Sequence, residues 1–166
     1  MKKFIRFVDA MNRSIGRVAC LVILPMAGIT VYEVIMRRVF NAPTSWAFEV
    51  IVYTYGVHFM FGMSAAYLYD RHVRIDVIVL QFPRKVQLWL RVITFFLIFL
   101  PFIGVFTYAA TLYAAHAWAI WEHSWSAWKP PLYPYKTVMP VTMFLLLLQG
   151  IANFFRDCYE LKGEKI

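Results

Sequence analysis

Charge is scarce in this chain. Only 16% of its 166 residues are Asp, Glu, Lys or Arg, where roughly a quarter is usual for a soluble domain, so an ordinary water-facing surface is excluded. Acidic residues are the scarcer sign, nine against 17 basic ones. Cysteine is reduced to Cys20 and Cys158, far apart and in no metal-ligand or disulfide-rich spacing, which excludes a zinc module and a disulfide framework. Internal repeats, low-complexity segments and linkers are missing, which leaves no mark of a second domain. No phosphate-binding loop, nucleophile-base pair or metal cluster is found either, so an enzymatic function has no residue to rest on.

What the chain has is apolar surface, with 61% hydrophobic and 19% aromatic residues. A transmembrane helix takes about 20 apolar residues, so the length holds four spans with short connections and no separate soluble catalytic domain. The expected fold is all-α and integral to the membrane, a single four-helix domain over residues 1–166, with spans near 14–36, 45–69, 88–117 and 137–155. The basic N-terminus before the first apolar run has the look of a signal peptide, but the run is too long and lacks a small-residue cleavage site, so a retained signal anchor is expected. The third apolar stretch continues to about Trp121. At 1.5 Å per residue it would be roughly 50 Å long against a hydrocarbon core of about 30 Å. It must tilt, break or leave the bilayer, and Pro101 is the residue expected to kink it.

The basic residues divide unequally between alternate connections. Thirteen fall in the N-terminal segment (Lys2, Lys3, Arg6, Arg13, Arg17), the middle loop (Arg71, Arg74, Arg84, Lys85, Arg91) and the tail (Arg156, Lys162, Lys165), and four on the other side (Arg37, Arg38, Lys129, Lys136). The positive-inside rule then places both termini in the cytoplasm. Trp118, Trp121, Trp125, Trp128, Tyr133 and Tyr135 crowd the long outer connection, where amphipathic rings favour the headgroup level.

Ionisable residues within apolar runs need a partner or a purpose, because each costs roughly 2.5–3.5 kcal/mol at the centre of a span. Glu33 precedes Arg37 by four residues, the favourable orientation for a helical ion pair; an ion or substrate site is the alternative. Glu49, one turn into the second span, faces Arg37 and Arg38 across the hairpin and is expected to neutralise one of them, with the helix dipole in its favour. A proton-carrying carboxylate, as in small exporters, is the competing role. His58 and His116 lie roughly 15–20 Å apart in depth, which disfavours haem ligation between them; an interhelical hydrogen bond is expected of His58, and no cofactor is expected. Gly62 and Ala66, and Ala110, Ala114 and Ala117, recur at helical spacing and admit a close helix, either within this chain or from a partner. Phe95, Phe96, Phe99, Phe102 and Phe106 are expected to face lipid or a partner.

Three patterns together resemble a known family. They are the stretch Tyr32 to Pro43 containing Arg37, Arg38, Phe40, Asn41 and Pro43, followed by Trp46 and Glu49; then His72-Val73-Arg74-Ile75-Asp76; then Pro130-Pro131-Leu132-Tyr133-Pro134 leading to Met139-Pro140 and Leu148-Gln149. Their order, spacing and topology are similar to the small permease subunit of tripartite ATP-independent periplasmic (TRAP) transporters, the DctQ type. The resemblance implies a multi-pass protein of a bacterial inner membrane, partnered by a large permease subunit and a periplasmic substrate-binding protein, in a secondary transporter of organic acids, sodium-coupled in such systems. The small subunit would be a scaffold for the large one. Carried onto this sequence, Arg37 or Arg38 with Glu49 would fix the outer hairpin, Trp46 would anchor it, and His72 with Asp76 would organise the cytoplasmic loop. Glu122, Lys129 and Lys136 are the candidates for docking the binding protein. Two readings from other classes compete: a membrane anchor of a respiratory enzyme, and a self-sufficient proton-coupled exporter using Glu33 or Glu49.

Overall fold

The computed structural model describes residues 1–69 and 82–161. Regular structure among them is helical: α1 (Lys2–Arg38), α2 (Ala47–Leu68), α3 (Arg84–Thr94), α4 (Leu100–Ala119) and α5 (Tyr133–Leu161). A five-residue π-turn, Phe95–Phe99, joins α3 to α4, so the described residues form four rods. Three of them, α1, the α3–α4 rod and α5, are long and apolar enough to cross a membrane. α2 has 22 residues, about 33 Å of helix, but Glu49, His58, Tyr53, Tyr55 and Tyr67 dilute its apolar character. Its exposed residues Phe48, Val52, Tyr55 and Phe59 follow one another at four, three and four positions, a single apolar stripe on an otherwise packed helix.

α1 lies against α2 and α5, α2 also touches α5, and both α3 and α4 pack on α5. α5 is therefore the common partner. A third of its most apolar stretch (33%) is buried, against 11% for α1 and for the α3–α4 rod, and those two rods flank the assembly with wide apolar faces. Leu21, Leu24 and Val31 on α1 and Leu97, Phe102, Val105 and Tyr108 on α4 are exposed. In water that surface would be untenable; in hydrocarbon it costs nothing.

α1 begins twelve residues before the expected span. The physical reason is amphipathic: Ile5, Val8 and Asn12, spaced by three and four, form a buried face on which Ala152, Leu148 and Phe155 of α5 pack. α5 likewise starts earlier and ends later than the expected 137–155. Pro134 falls in its first turn, where a missing amide proton is harmless.

The break expected at Pro101 takes the form of the π-turn just before it, in which the Leu100 amide bonds to the Phe95 carbonyl. A proline inside a helix removes a donor and presses its ring on the carbonyl one turn back, and a widened turn relieves both. The phenylalanines there divide. Phe95 is buried, stacked on Phe154 at 4.9 Å and Phe99 at 5.5 Å, while Phe96, Phe102 and Phe106 face outward.

The small residues divide as well. Ala110, Ala114 and Ala117 are buried on the side where α4 meets α5, so their stripe serves packing within the chain. Gly62 has open space around it, and the close approaches are instead Gly16 to Ala65, Gly56 to Tyr135 and Gly150 to the Phe99 ring. A one-residue offset turns Ala65 rather than Ala66 toward α1.

Candidate functional site

Polar side chains gather at the two ends of the bundle. At the end holding the N-terminus of α1 and the C-terminus of α5, the Asn12 amide donates to Gln149 Oε1 at 2.8 Å. Gln149 Nε2 donates to Asp9 Oδ1 at 3.0 Å and to Asn153 Oδ1 at 3.2 Å. Arg156 completes the network, donating to Asn153 Oδ1 at 2.8 Å and Asp9 Oδ2 at 2.6 Å, while Asn153 reaches the Tyr67 carbonyl of α2 at 3.4 Å. Three rods are thus joined by one cluster. Asn12 and Gln149 are fully buried, and Asn12 Oδ1 has no partner. Buried amides held this way specify one alignment of the helices, since any slip leaves several polar groups unpaired.

The same end carries two ion pairs from α3 to α5. Arg84 donates to both carboxylate oxygens of Glu160 at 2.8 and 3.0 Å, and Arg91 lies 3.6 Å from Asp157. Glu160 is past the apolar part of α5, and the Arg84 hydrogen bonds hold its carboxyl below the usual carboxylate range.

At the opposite end Glu33 is buried and accepts from Arg37 at 2.8 Å and from the Thr44 backbone amide at 3.3 Å and hydroxyl. It closes the α1–α2 hairpin, whose turn passes through Asn41 at φ 52°, a left-handed conformation asparagine tolerates. The expected Glu33–Arg37 pair is present. The expected pairing of Glu49 with Arg37 or Arg38 is not: Glu49 Oε1 accepts from Ser124 at 2.7 Å, its Oε2 is buried without a partner, and Arg38 is exposed. Arg37 is already taken by Glu33 on its own helix, and Glu49 turns instead toward the loop between α4 and α5.

That loop is a folded unit. The Ser124 amide bonds to the Pro130 carbonyl at 2.9 Å and the Leu132 amide to the Glu122 carbonyl at 2.8 Å. Lys136 donates to Glu122 at 2.7 Å and lies 4.0 Å from the Tyr113 ring centroid. Trp118 packs against Tyr133 with ring centroids 4.5 Å apart and planes tilted by 58°, and donates its indole N–H to Thr137. Glu122 and Lys136, two of the docking candidates, therefore hold the loop together; Lys129 is exposed, beside Trp128 and the wholly exposed Trp125. Trp46 precedes α2, half-buried, with its ring on Tyr32 at 6.1 Å. His72 and Asp76 lie outside the described residues.

Midway along α2, His58 Nδ1 meets the Ala19 carbonyl of α1 at 2.6 Å, the interhelical bond expected of it. Among the described residues no three His, Cys, Asp or Glu side chains converge. The network around Asn12 and Gln149 is what sequence reasoning missed. Its signal was there as Asp9 and Asn12 three apart and Gln149, Asn153 and Arg156 four and three apart, each set on one helical face.

The arrangement joins helices at both ends and leaves apolar flanks outside, the construction of a helical unit embedded in a membrane. Comparison with known proteins agrees in kind. No curated protein matches the chain. The family model described as "Tripartite ATP-independent periplasmic transporters, DctQ component" matches residues 26–159, from the middle of α1 to near the end of α5. The chain therefore belongs to the DctQ family, the small membrane component of tripartite ATP-independent periplasmic transporters.

Proposed function

We propose that this chain is the fixed membrane frame of its transporter. In this reading α2 is a fourth span, both termini are cytoplasmic, and the apolar flanks of α1 and α4 meet lipid and the large permease subunit of a sodium-coupled carrier of organic acids in a bacterial inner membrane. The observation that carries the reading is the use of the polar side chains. From Asp9–Arg156 at one end to Glu49–Ser124 at the other, they bond to one another between helices and from helix to loop. A frame against which another domain slides needs this internal rigidity more than it needs a binding site. The test is co-expression with a large TRAP permease subunit and purification in mild detergent. A stable one-to-one complex is expected; a folded chain that stays alone, or that transports by itself, would sink the reading.

Two further results follow from the outer end. Glu49→Ala removes the acceptor of Ser124 and frees the loop from α2. One lost buried hydrogen bond of about 1 kcal/mol corresponds to roughly fivefold, so the yield of complex should fall by about that factor while the substrate preference of the remaining complex stays unchanged. An intact complex with altered substrate or sodium dependence would argue for a transport role of Glu49 instead. Docking of the periplasmic binding protein is proposed at the tip of the same loop. Lys129→Glu should weaken that docking about threefold or more at low salt, with the difference fading as ionic strength rises; titration of the binding protein onto the reconstituted complex measures it, and an unchanged affinity removes Lys129 from the interface.

A further inference from the structure

α2 and α4 both rest on α5 but scarcely touch each other. They are tied at two levels. Tyr67 of α2 stacks on Phe99 of the π-turn at 5.2 Å, and Glu49 near the other end of α2 bonds to Ser124 of the α4–α5 loop at 2.7 Å. Between those ties α5 is the floor of a cleft. Toward the π-turn the floor is covered, with Thr142, Leu145, Leu146 and Gln149 buried, but from Tyr135 to Met139 α5 is only partly covered. There a cavity of about 250 Å³ is lined by Gly56 and Met60 of α2, Tyr113 of α4, and Tyr135, Val138 and Met139 of α5.

The lining is graded. Tyr135 and Lys136 belong to the first turn of α5, beside Tyr133, whose ring packs with Trp118 and Trp121; an aromatic cluster of this kind sits at the headgroup level. Met60 and Met139 lie about one turn deeper, along with the apolar walls. Lys136 lines the cavity too but is already held by Glu122 and the Tyr113 ring, so it brings no free charge. The Tyr135 hydroxyl is different. It reaches α2 at Gly56, where a Cβ would overlap it, and among the described residues it makes no hydrogen bond. A tyrosine hydroxyl taken out of water ordinarily finds an acceptor, and here the protein supplies none.

An apolar cavity of about 150 Å³ admits benzene, so this one has room for a stretch of hydrocarbon chain. Floored by α5 and tied at both ends, the cleft opens sideways, into the bilayer. What a bilayer offers there is an oxygen acceptor at the glycerol level with an acyl chain below it. We propose that the cleft between α2 and α4 holds one acyl chain of a phospholipid from the leaflet on the side of the α4–α5 loop, an ester carbonyl of that lipid accepting from the Tyr135 hydroxyl. Recognition is by shape and one hydrogen bond rather than by headgroup charge. The chain fills the gap between two rods that otherwise meet only near their ends, and so braces them.

The test uses the full-length chain, delipidated in mild detergent and offered equal amounts of two phosphatidylcholines with the same chains, one ester-linked and one ether-linked, with retained lipid read by native mass spectrometry. The ether lacks the carbonyl, so the diester should be retained about fivefold over the diether, the contribution of one hydrogen bond, and Tyr135→Phe should bring the ratio near one. Met139→Trp, which fills the cavity, should cut retention of both lipids roughly tenfold through the lost contacts, whereas Val105→Trp on the exposed flank of α4 should leave it unchanged. If Met139→Trp fails to fold, Met60→Trp fills the cavity from the opposite wall. Equal retention of the two lipids by the unaltered chain, full retention in the cavity-filling variant, or an equal loss in Val105→Trp overturns the proposal. Loss of the lipid on assembly with a large permease subunit also overturns it, since a side chain of the partner would then occupy the cleft. The lipid comparison needs only the chain itself, so it stands whether or not that complex forms, and the two readings fail separately.

Discussion

Replacing Gln149 by leucine is expected to destabilise the bundle by about 2–4 kcal/mol. The side chains are similar in size, so little of this comes from packing. Gln149 accepts from Asn12 and donates to Asp9 and Asn153, and its loss leaves a wholly buried Asn12 with neither end of its amide bonded. An orphaned buried polar group costs about 1–3 kcal/mol, and the contacts of Asp9 and Asn153 add to it. The counterweight is that an average interhelical hydrogen bond in a membrane protein contributes only about 0.6 kcal/mol. That value describes bonds whose partners find substitutes, whereas here the abandoned groups sit in the seam between rods. For a chain of this size about 1 kcal/mol corresponds to 2–4 °C, so thermal unfolding in detergent should show a loss of roughly 5–15 °C. A drop under about 2 °C would mean the network contributes nothing to stability. The double variant Asn12→Leu with Gln149→Leu discriminates further: with both amides gone it should be more stable than Gln149→Leu alone, a non-additivity expected only for groups bonded to each other.

That network also marks the limit of what the sequence disclosed. Local pairs were legible, because a helix brings residues four apart together whatever the rest of the chain does: Glu33 and Arg37 are 2.8 Å apart, as their spacing requires. His58 was legible for a different reason, since a polar ring midway along an apolar helix must find a neighbour's carbonyl. Partners distant in sequence were not. Asn12 and Gln149 are 137 positions apart, and nothing in either helix says which face of the other it meets. Glu49 shows the same gap in another form, because two nearby arginines made an obvious counter-charge, while the folded loop placed Ser124 closer. The proline in the third apolar stretch announced a break, but its form and its place before Pro101 depend on where the Phe99 ring can go.

Gly150→Leu is expected to have the other large effect, by acting on that ring. A Cβ on Gly150 would overlap the Phe99 ring edge, and the ring's retreat is hindered because it is stacked on Tyr67 at 5.2 Å and on Phe95 at 5.5 Å. Overpacking of a filled site costs about 1–3 kcal/mol, occasionally more. Here the strain falls on the π-turn, the point from which α4 departs to lean on α5, its main support. The leucine should therefore push α4 off its seat while leaving the α1–α2 hairpin closed, because that hairpin is held separately by Glu33 with Arg37 and Thr44. Cysteines placed at Ala114 on α4 and at a facing position on α5 would read the first effect as at least a tenfold loss of crosslinking. A pair bridging α1 and α2 would read the second as no change. If the flank of α4 meets the large permease subunit, recovery of the complex should fall in parallel with the α4–α5 crosslink. The companion Phe99→Leu with Gly150→Leu supplies the decisive comparison: shrinking the ring makes room for the new side chain, so crosslinking and complex recovery should return together. Persistent loss in the double variant would show that the leucine acts elsewhere than on Phe99.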